Sequence, residues 1–344
     1  LSLAKSLVKK GLSVDIFLNK KKSVFDRSRT IGISKDNLIY FNREILDIKK
    51  LLWDIKKIEI YSDSFKNEKI LNFENNNKTL FAIIRNYQLQ SKLISSLKKD
   101  RLCNFKNNFD YSLSNLKKYN LIINCENNNY FSKKFFARSM KKKYNSFAFT
   151  TILKHKKIKN NTAYQIFTKI GPLAFLPISE LETSVVYSIK GKKNIDPKEL
   201  IKKYNTKYSI INFGASNFFE LNSSNLRTYY HKNILAFGDL LHRLHPLAGQ
   251  GFNMTIRDIR DLSKLVEFKF NNGLDIDNSI CEDFQNTTKY KNYLFSSGID
   301  FIYEFFNFES KMNNSIISKS VRLMGKNKFL NRSFKNIANR GFEI

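Results

Sequence analysis

Cysteine is scarce in this chain of 344 residues, with Cys103, Cys125 and Cys281 far apart and no CxxC pair among them. That spacing excludes a disulfide framework and a cysteine-ligated metal centre, and it suits the reduced thiols of a cytoplasmic protein. No uninterrupted apolar run approaches the ~20 residues that a membrane-spanning helix needs. No Ser-His-Asp set, P-loop or paired-carboxylate arrangement stands out, so no motif points to a common hydrolytic chemistry. Acidic residues are also short: 30 Asp and Glu face 60 Lys and Arg, for a formal charge of +30. A nucleic acid or an anionic membrane is the first partner such a charge suggests. Yet Lys, Asn, Ile and Phe are enriched together, as in FENNNK and CENNNY, which is the composition an AT-rich genome imposes everywhere. No RNA-binding signature, zinc knuckle or single basic block accompanies the charge, so no nucleic-acid partner is expected. Attraction to the inner face of an anionic membrane stays open as a peripheral contact. No signal peptide is visible and the first residue is Leu, so the chain reads as a fragment lacking its start.

The most informative stretch is Ile234 to Leu265, ILAFGDLLHRLHPLAGQGFNMTIRDIRDLSKL. Ile234 to Phe237 read as a short buried strand closed by Gly238-Asp239. A loop with two histidines, Pro246, Gly249 and Gly251 follows. From Asn253 onward Met254, Ile259, Leu262, Leu265 and Val266 fall at helical spacing, with charged residues opposite, so an amphipathic helix begins near Gly251. A carboxylate, Asp239, delivered into a glycine-rich turn ahead of a helix N-terminus makes a site for a polar or anionic group, because the first-turn N–H groups and the helix dipole point that way. An ordinary strand-to-helix connection is the alternative. His242 and His245 have an i, i+3 spacing, but no further His or Cys lies near them and no metal is expected.

Elsewhere, Leu1 to Phe17 reads as the second half of a strand-helix-strand unit, with Gly11 as the helix stop and Val14, Ile16 and Leu18 alternating as a strand. Residues 51–63 give a helix end and an alternating strand with Ile58, Ile60 and Tyr61. Residues 80–97 give a strand and an amphipathic helix. Four alternating runs, SFAFTTIL, TAYQIFT, PLAFLPI and TSVVYSI, read as antiparallel strands. Their alternation puts Phe147, Phe149, Tyr164, Ile166 and Phe175 on an inward or pocket-facing side. After Phe270 the chain is helical and basic, with Ile299, Ile302, Phe305 and Phe306 as an apolar stripe and the tail KNKFLNRSFKNIANRGF as a segment that can lie on a bilayer.

GDLLHRLHPLAGQGFNMTIRD resembles the GD motif and following helix of the FAD-dependent aromatic hydroxylases, the class A flavoprotein monooxygenases, and most nearly the ubiquinone-biosynthesis hydroxylase branch, whose pattern is roughly GDAAHxxHPxAGQGxNxGxxD. NTAYQIFTKIGPLAFLPI resembles that family's substrate-domain segment, of the form GTAWQRFTPxGPLALLPL. The resemblance implies an α/β fold: a Rossmann-like FAD-binding domain over residues 1–63, 80–136 and 226–270, interleaved with an antiparallel-sheet substrate domain over 64–79 and 137–225. A helical C-terminal region over 271–344 follows. It also implies an FAD-dependent monooxygenase that uses NAD(P)H as transient reductant and O2 to hydroxylate a prenylated phenol in ubiquinone biosynthesis, beside other quinone-biosynthesis proteins. By resemblance, Gly238 and Asp239 reach the ribityl chain and Pro246 borders the isoalloxazine. Gly249 and the backbone N–H groups of Gly251, Phe252 and Asn253 face the flavin N1 edge. Arg29 lies near the pyrophosphate, and Asn86, or its neighbour Arg85, near the ribityl region. No catalytic side chain is singled out.

The chain departs from the family in four places. The GxGxxG turn falls upstream of Leu1. Leu18-Asn19 stands where an acidic residue would hold the adenosine ribose, Glu126-Asn127 replaces the Asp-Gly of the family's middle motif, and Lys133 or Lys134 replaces its arginine. These departures keep open a second expectation, a non-catalytic homologue serving as a binding or scaffolding subunit of a quinone-biosynthesis complex.

Overall fold

The structure, a computed structural model, describes residues 1–18, 26–63, 68–74, 78–191, 196–245 and 249–312. Asn19, Pro246, the 316–324 apolar group and the basic tail lie outside the described residues.

The chain opens with helix α1 (Ser2–Lys9), whose Leu3, Leu7 and Val8 are buried. Gly11, at φ +83°, turns it into strand β1 (Val14–Leu18). There follow β2 (Thr30–Ser34), α2 (Lys35–Tyr40), β3 (Trp53–Ile55), β4 (Lys57–Ser62), β5 (Glu68–Glu74), β6 (Phe81–Arg85), α3 (Asn86–Lys98) and β7 (Cys103–Asn107). A short α4 (Leu113–Leu116) leads to β8 (Ile122–Asn124) and α5 (Tyr130–Phe135). The long β9 (Ser139–His155), β10 (Thr162–Phe167), β11 (Pro172–Pro177) and β12 (Glu182–Lys190) come next, then α6 (Pro197–Tyr204) and the long β13 (Ile210–Leu226). The rest is β14 (Tyr230–His231), β15 (Ile234–Ala236), β16 (His242–Arg243), α7 (Gln250–Asn271) and α8 (Ser279–Met312).

One unit is an eight-stranded sheet in the order β16-β13-β9-β12-β11-β10-β4-β5. The four alternating runs are its strands β9 to β12, antiparallel to one another where they pair. The other unit holds two parallel pairs, β1 with β7 and β8 with β15, and the small antiparallel sheet β2-β6-β3. Its core gathers Leu3 and Leu7 of α1, Ile33 of β2, Leu89 and Leu93 of α3, Leu235 of β15 and Ile259 and Leu262 of α7.

Residues 57–63 were expected with the cofactor-binding half, but β4 pairs with β10 and β5 in the large sheet. The alternation of Ile58 and Ile60 was legible. Which sheet would accept the strand was not, because that is decided by the partner's backbone and by packing of Ile58 against Ile55, Ile152 and Ala163.

The alternating aromatic and aliphatic residues of β9 to β11 face inward, as core rather than as pocket lining. Phe149, Tyr164, Ile166 and Phe175 share a cluster with Ile201 and Tyr204 of α6, so they are the core under that helix. Phe147 is half-buried and stacks on Phe218 at 5.4 Å. In α8 the expected stripe is split. Ile299 and Tyr303 pack inward while Ile302 is exposed, Phe305 is half-buried, and the Phe306 side chain is not among those described. No helix of the described residues is long and apolar enough to cross a membrane.

Candidate cofactor and substrate cleft

The face of the large sheet opposite α6 is not uniformly covered. Successive rows of residues across the sheet, read from the strand register, decide what it can hold. One row, Leu176, Ser184 and Ile152, lies beneath the small sheet: Ile152 and Leu176 pack with Ile55 and Ile83, and Thr30 Oγ1 donates to Ser184 Oγ at 2.8 Å. Another, holding Phe167, Ser188, Ala148 and Phe219, runs toward α7 and α8. There Phe167 packs with Met254, Phe295 and Ile299, and Ala148 and Phe219 pack with Tyr303. Between these walls runs Gln165, Ala174, Val186 and Thr150 in direct cross-strand register. Gln165, Ala174 and Val186 are only half-buried although they sit in the middle of an eight-stranded sheet. Small side chains on an uncovered central strip make a floor for a flat ligand.

The N-terminus of α7 is held over one side of this cleft by Asn253, which is 2% exposed. Its Oδ1 accepts from the Ser34 backbone N–H at 2.8 Å and from Asn37 Nδ2 at 3.1 Å, and its Nδ2 donates to the Gly32 carbonyl at 2.9 Å. Asn253 therefore acts as a latch between α7 and β2. Gly249 is the N-cap residue in the left-handed region at φ +63°, with no side-chain cap. A Cβ at Gly251 would meet nothing within 4 Å, so the first turn of α7 opens on free space. An uncapped helix start approached by glycines is the geometry that receives a negatively polarised edge of a ligand. The Phe252 side chain is half-buried and turned to the core, with its ring 6.1 Å from Phe41, so that residue has only its backbone N–H to offer there.

The GD turn reaches the cleft from a different direction. Strands β8 and β15 are parallel, with Ala236 opposite Asn124, and the Phe237 N–H donates to the Asn124 carbonyl at 2.9 Å. Both chains therefore leave the same sheet edge side by side, so Gly238-Asp239 emerges beside Cys125-Glu126-Asn127. Ligands of open parallel sheets bind outside these carboxyl ends. Gly238 has φ +62°, and Asp239 and Glu126 are exposed. Cys125 is exposed, but the protein around it pushes its thiol up, and the Asp239 carboxylate adds to that shift. The Glu126-Asn127 turn itself is shaped by Asn124, Asn129 and Ser132, with Asn129 Nδ2 donating to Asn124 Oδ1 at 2.6 Å.

Arg29 and Asn86 lie together on the sheet side, where the Asn86 N–H donates to the Arg29 carbonyl at 3.1 Å. The exposed Arg29 guanidinium stands 5.7 Å over the Phe219 ring. Asn86 is half-buried at the first position of α3. Its neighbour Arg85 is engaged by Glu182 of β12. Both histidines are enclosed by the surrounding structure. His242 pairs with Asp258, itself held by Asn292 Nδ2 at 2.9 Å, and each side chain of the pair is 1% exposed. His245 is buried between the rings of Tyr303 and Tyr144, at 4.2 and 4.9 Å.

A groove of about 590 Å³ on the outer side of α7, lined by Lys10, Tyr40, Arg43, Arg260 and Glu267 among others, carries none of the expected cofactor residues. Ion pairs Lys10–Glu267 and Arg43–Glu44 occupy it. Sequence reasoning missed the floor residues Gln165, Ala174 and Val186. The only signal for them was their alternation with the bulky residues that lie under α6.

No family model matches the chain. Among curated proteins it is similar to "Ubiquinone biosynthesis monooxygenase COQ6, mitochondrial" of Dictyostelium discoideum, 24% identical over 94% of this chain and 84% of that protein. It is also similar to the 3-demethoxyubiquinol 3-hydroxylase of Escherichia coli, 27% identical over 42% of this chain and 39% of that one. Among solved structures, pqsL, described as a probable FAD-dependent monooxygenase from Pseudomonas aeruginosa, superposes with a TM-score of 0.70 at 12% identity, covering 93% of this chain and 95% of that one. The chain thus resembles the FAD-dependent aromatic hydroxylases in sequence, nearest the ubiquinone branch, and has the mixed α/β fold of FAD-dependent monooxygenases.

Proposed function

We propose that this chain, resembling ubiquinone-branch hydroxylases in sequence and FAD-dependent monooxygenases in fold, hydroxylates a prenylated phenol in ubiquinone biosynthesis with FAD, NAD(P)H and O2. The observation that carries the proposal is the uncapped start of α7, latched by Asn253 beside the uncovered strip Gln165, Ala174 and Val186. A flavin ring fits that arrangement. Gly249 and Gly251 leave room for a planar group, and a helix N-terminus suits the edge that gains electron density on reduction. The flavin supplies the redox and oxygen chemistry when bound.

The chain's own residues do the holding and the shielding. Gly238 and Asp239, in the turn that follows β15, would take the ribityl chain, with the exposed Asp239 carboxylate as acceptor. Gly249 and the N–H groups of Gly251 and Phe252 would face the flavin edge, while the Asn253 side chain keeps them in position. Arg29 would offer donors to the phosphates, and Asn86 to the ribityl region. The apolar wall of Phe167, Met254 and Phe295 would exclude water from one end of the cleft. The domain limits that follow are a cofactor-binding unit over 1–56, 80–136 and 227–271 and a sheet unit over 57–74 and 139–226. The cytoplasm, beside the inner face of a membrane, is the location this reading implies.

The test is purification of the protein after expression with excess FAD. A yellow protein with a flavin absorbance band is expected, and Asp239→Ala should lower FAD affinity at least tenfold without changing the fold. A folded protein that stays colourless with added FAD sinks the enzyme reading. It would favour the binding-subunit alternative, for which Glu126-Asn127 in place of Asp-Gly is the specific motif change.

A further inference from the structure

The GD turn and the start of α7 lie on one stretch of chain, yet that stretch is tied to both units on its way. The GD turn leaves the edge shared by β8 and β15, and the start of α7 is latched to β2 by Asn253. Between them the chain visits the large sheet, where β16 pairs with β13 and sets His242 opposite Asn225. Asn225 Nδ2 donates in turn to Ser296 Oγ of α8 at 2.5 Å. From β16 the His242 side chain crosses to α7. Its Nε2 meets one carboxylate oxygen of Asp258, and Asn292 of α8 donates to the other at 2.9 Å.

Helix α7 therefore has two polar anchorages that answer to different units. Asn253 fixes it to the cofactor-binding half, and Asp258 fixes it to the sheet whose strands carry the floor Gln165, Ala174 and Val186. Asp258 lies seven residues along the helix from Gly251, or ~10 Å at the α-helical rise. Two turns of helix do not compress, so any shift at Asp258 reappears at the N–H groups of Gly251 and Phe252. Apolar side chains can join two elements as firmly as a buried His-Asp pair, but they tolerate sliding, whereas the hydrogen-bonded pair accepts one geometry.

We propose that His242, acting through Asp258, is a positioning residue that sets the spacing between the flavin ring at the start of α7 and the substrate on the floor of the large sheet. The inference rests on the proposed function and adds to it a division of labour. Asn253 and the GD turn hold the cofactor; His242 places the substrate sheet against it. With the pair broken, FAD stays bound but the phenol lies out of register. Electrons from the reductant then leave with O2 as hydrogen peroxide, and no oxygen atom enters the ring.

The test compares the full unsubstituted chain with His242→Gln and with the double variant His242→Leu, Asp258→Asn, each expressed with FAD and checked for folding by circular dichroism. Gln puts an N–H donor where Nε2 stands, and the double variant removes the tie without leaving a buried carboxylate unpaired. Asp258→Asn alone, which only weakens the tie, is read in the same way and decides the matter if the double variant does not fold. The readings are the FAD dissociation constant, the change in flavin absorbance on adding ortho-prenylphenol, and the share of oxidised NADH or NADPH that yields hydroxylated product instead of hydrogen peroxide. In the double variant FAD affinity should stay within about threefold while the absorbance change and the product share each fall about tenfold, since a misplacement of ~1 Å can cost up to a hundredfold. His242→Gln should restore both. A double variant that keeps the absorbance change and product share of the unsubstituted chain overturns the proposal. So does a loss of FAD affinity in step with the loss of product, which would make the pair part of the cofactor mount, and so does His242→Gln failing as fully as the double variant. These outcomes leave the flavin assignment standing, whereas FAD binding by no preparation overturns the proposed function and this proposal together.

Discussion

Asn253 shows how one side chain decides the shape of a site it does not line. It satisfies the Ser34 N–H, the Gly32 carbonyl and Asn37 Nδ2 together, all in a buried place. In Asn253→Ala these groups lose their partner, at a cost of about 2–3 kcal/mol in denaturant unfolding. The start of α7 would also be free to shift, so FAD should bind roughly tenfold more weakly. Unaltered stability and affinity would remove the latch from the account. His245 offers a pH test. Burial among Tyr144 and Tyr303 lowers its pKa to about 3, with Glu304 opposing and Lys142 adding to the shift, and neither ring nitrogen finds a partner among the described residues. The unfolded chain takes up a proton below its ordinary value of ~6.5 while the folded one does not. Stability must therefore fall as pH drops from about 6.5 toward 3, by about 2 kcal/mol at pH 5. His245→Phe should flatten that dependence in urea titrations at pH 5 and 8, and an unchanged slope would assign it to other groups.

At the scale of elements, the start of α7 carries two opposed demands. A helix N-terminus is stabilised by a carboxylate, and a site for an electron-rich ligand edge is spoiled by one. Gly251→Asp separates them, because a Cβ there meets no neighbour. The protein without FAD should gain about 1 kcal/mol from helix propensity and the dipole. FAD affinity should fall more than tenfold, and an equal or tighter flavin complex would move the ligand away from this helix. The helix was legible in the sequence because Met254, Ile259, Leu262 and Val266 keep a 3.6-residue period, and all four are buried. The strands β9 to β12 were legible through their alternation. The floor of the cleft was not. Alternation says that Tyr164 and Ile166 share one face and Gln165 the other, but not which face a helix will cover, and α6 covers the bulky one. Pairing of Gly238-Asp239 with the Glu126 turn was likewise hidden, since the register of β8 on β15 joins residues more than a hundred positions apart.

For the whole molecule, the decisive feature is how often the chain passes between its two units. It crosses at 55–57, 74–81, 135–139 and 226–230, and touches the large sheet once more through β16. Side chains join the units as well: Ser28 with Thr150 at 2.9 Å, Thr30 with Ser184, Asn217 with Asp26 at 2.8 Å, and Arg85 with Glu182. A unit whose sequence is interrupted by the other cannot close its core until the intervening segments are in place, so neither is expected to unfold alone. Calorimetry should give one transition whose van't Hoff and calorimetric enthalpies agree. If FAD bridges the start of α7 and the GD turn, a hundredfold excess over its dissociation constant should raise that single transition by about 2.7 kcal/mol of stability. Two transitions, with FAD moving only one, would mean that the units fold separately and that the cleft between them is not a single cooperative site.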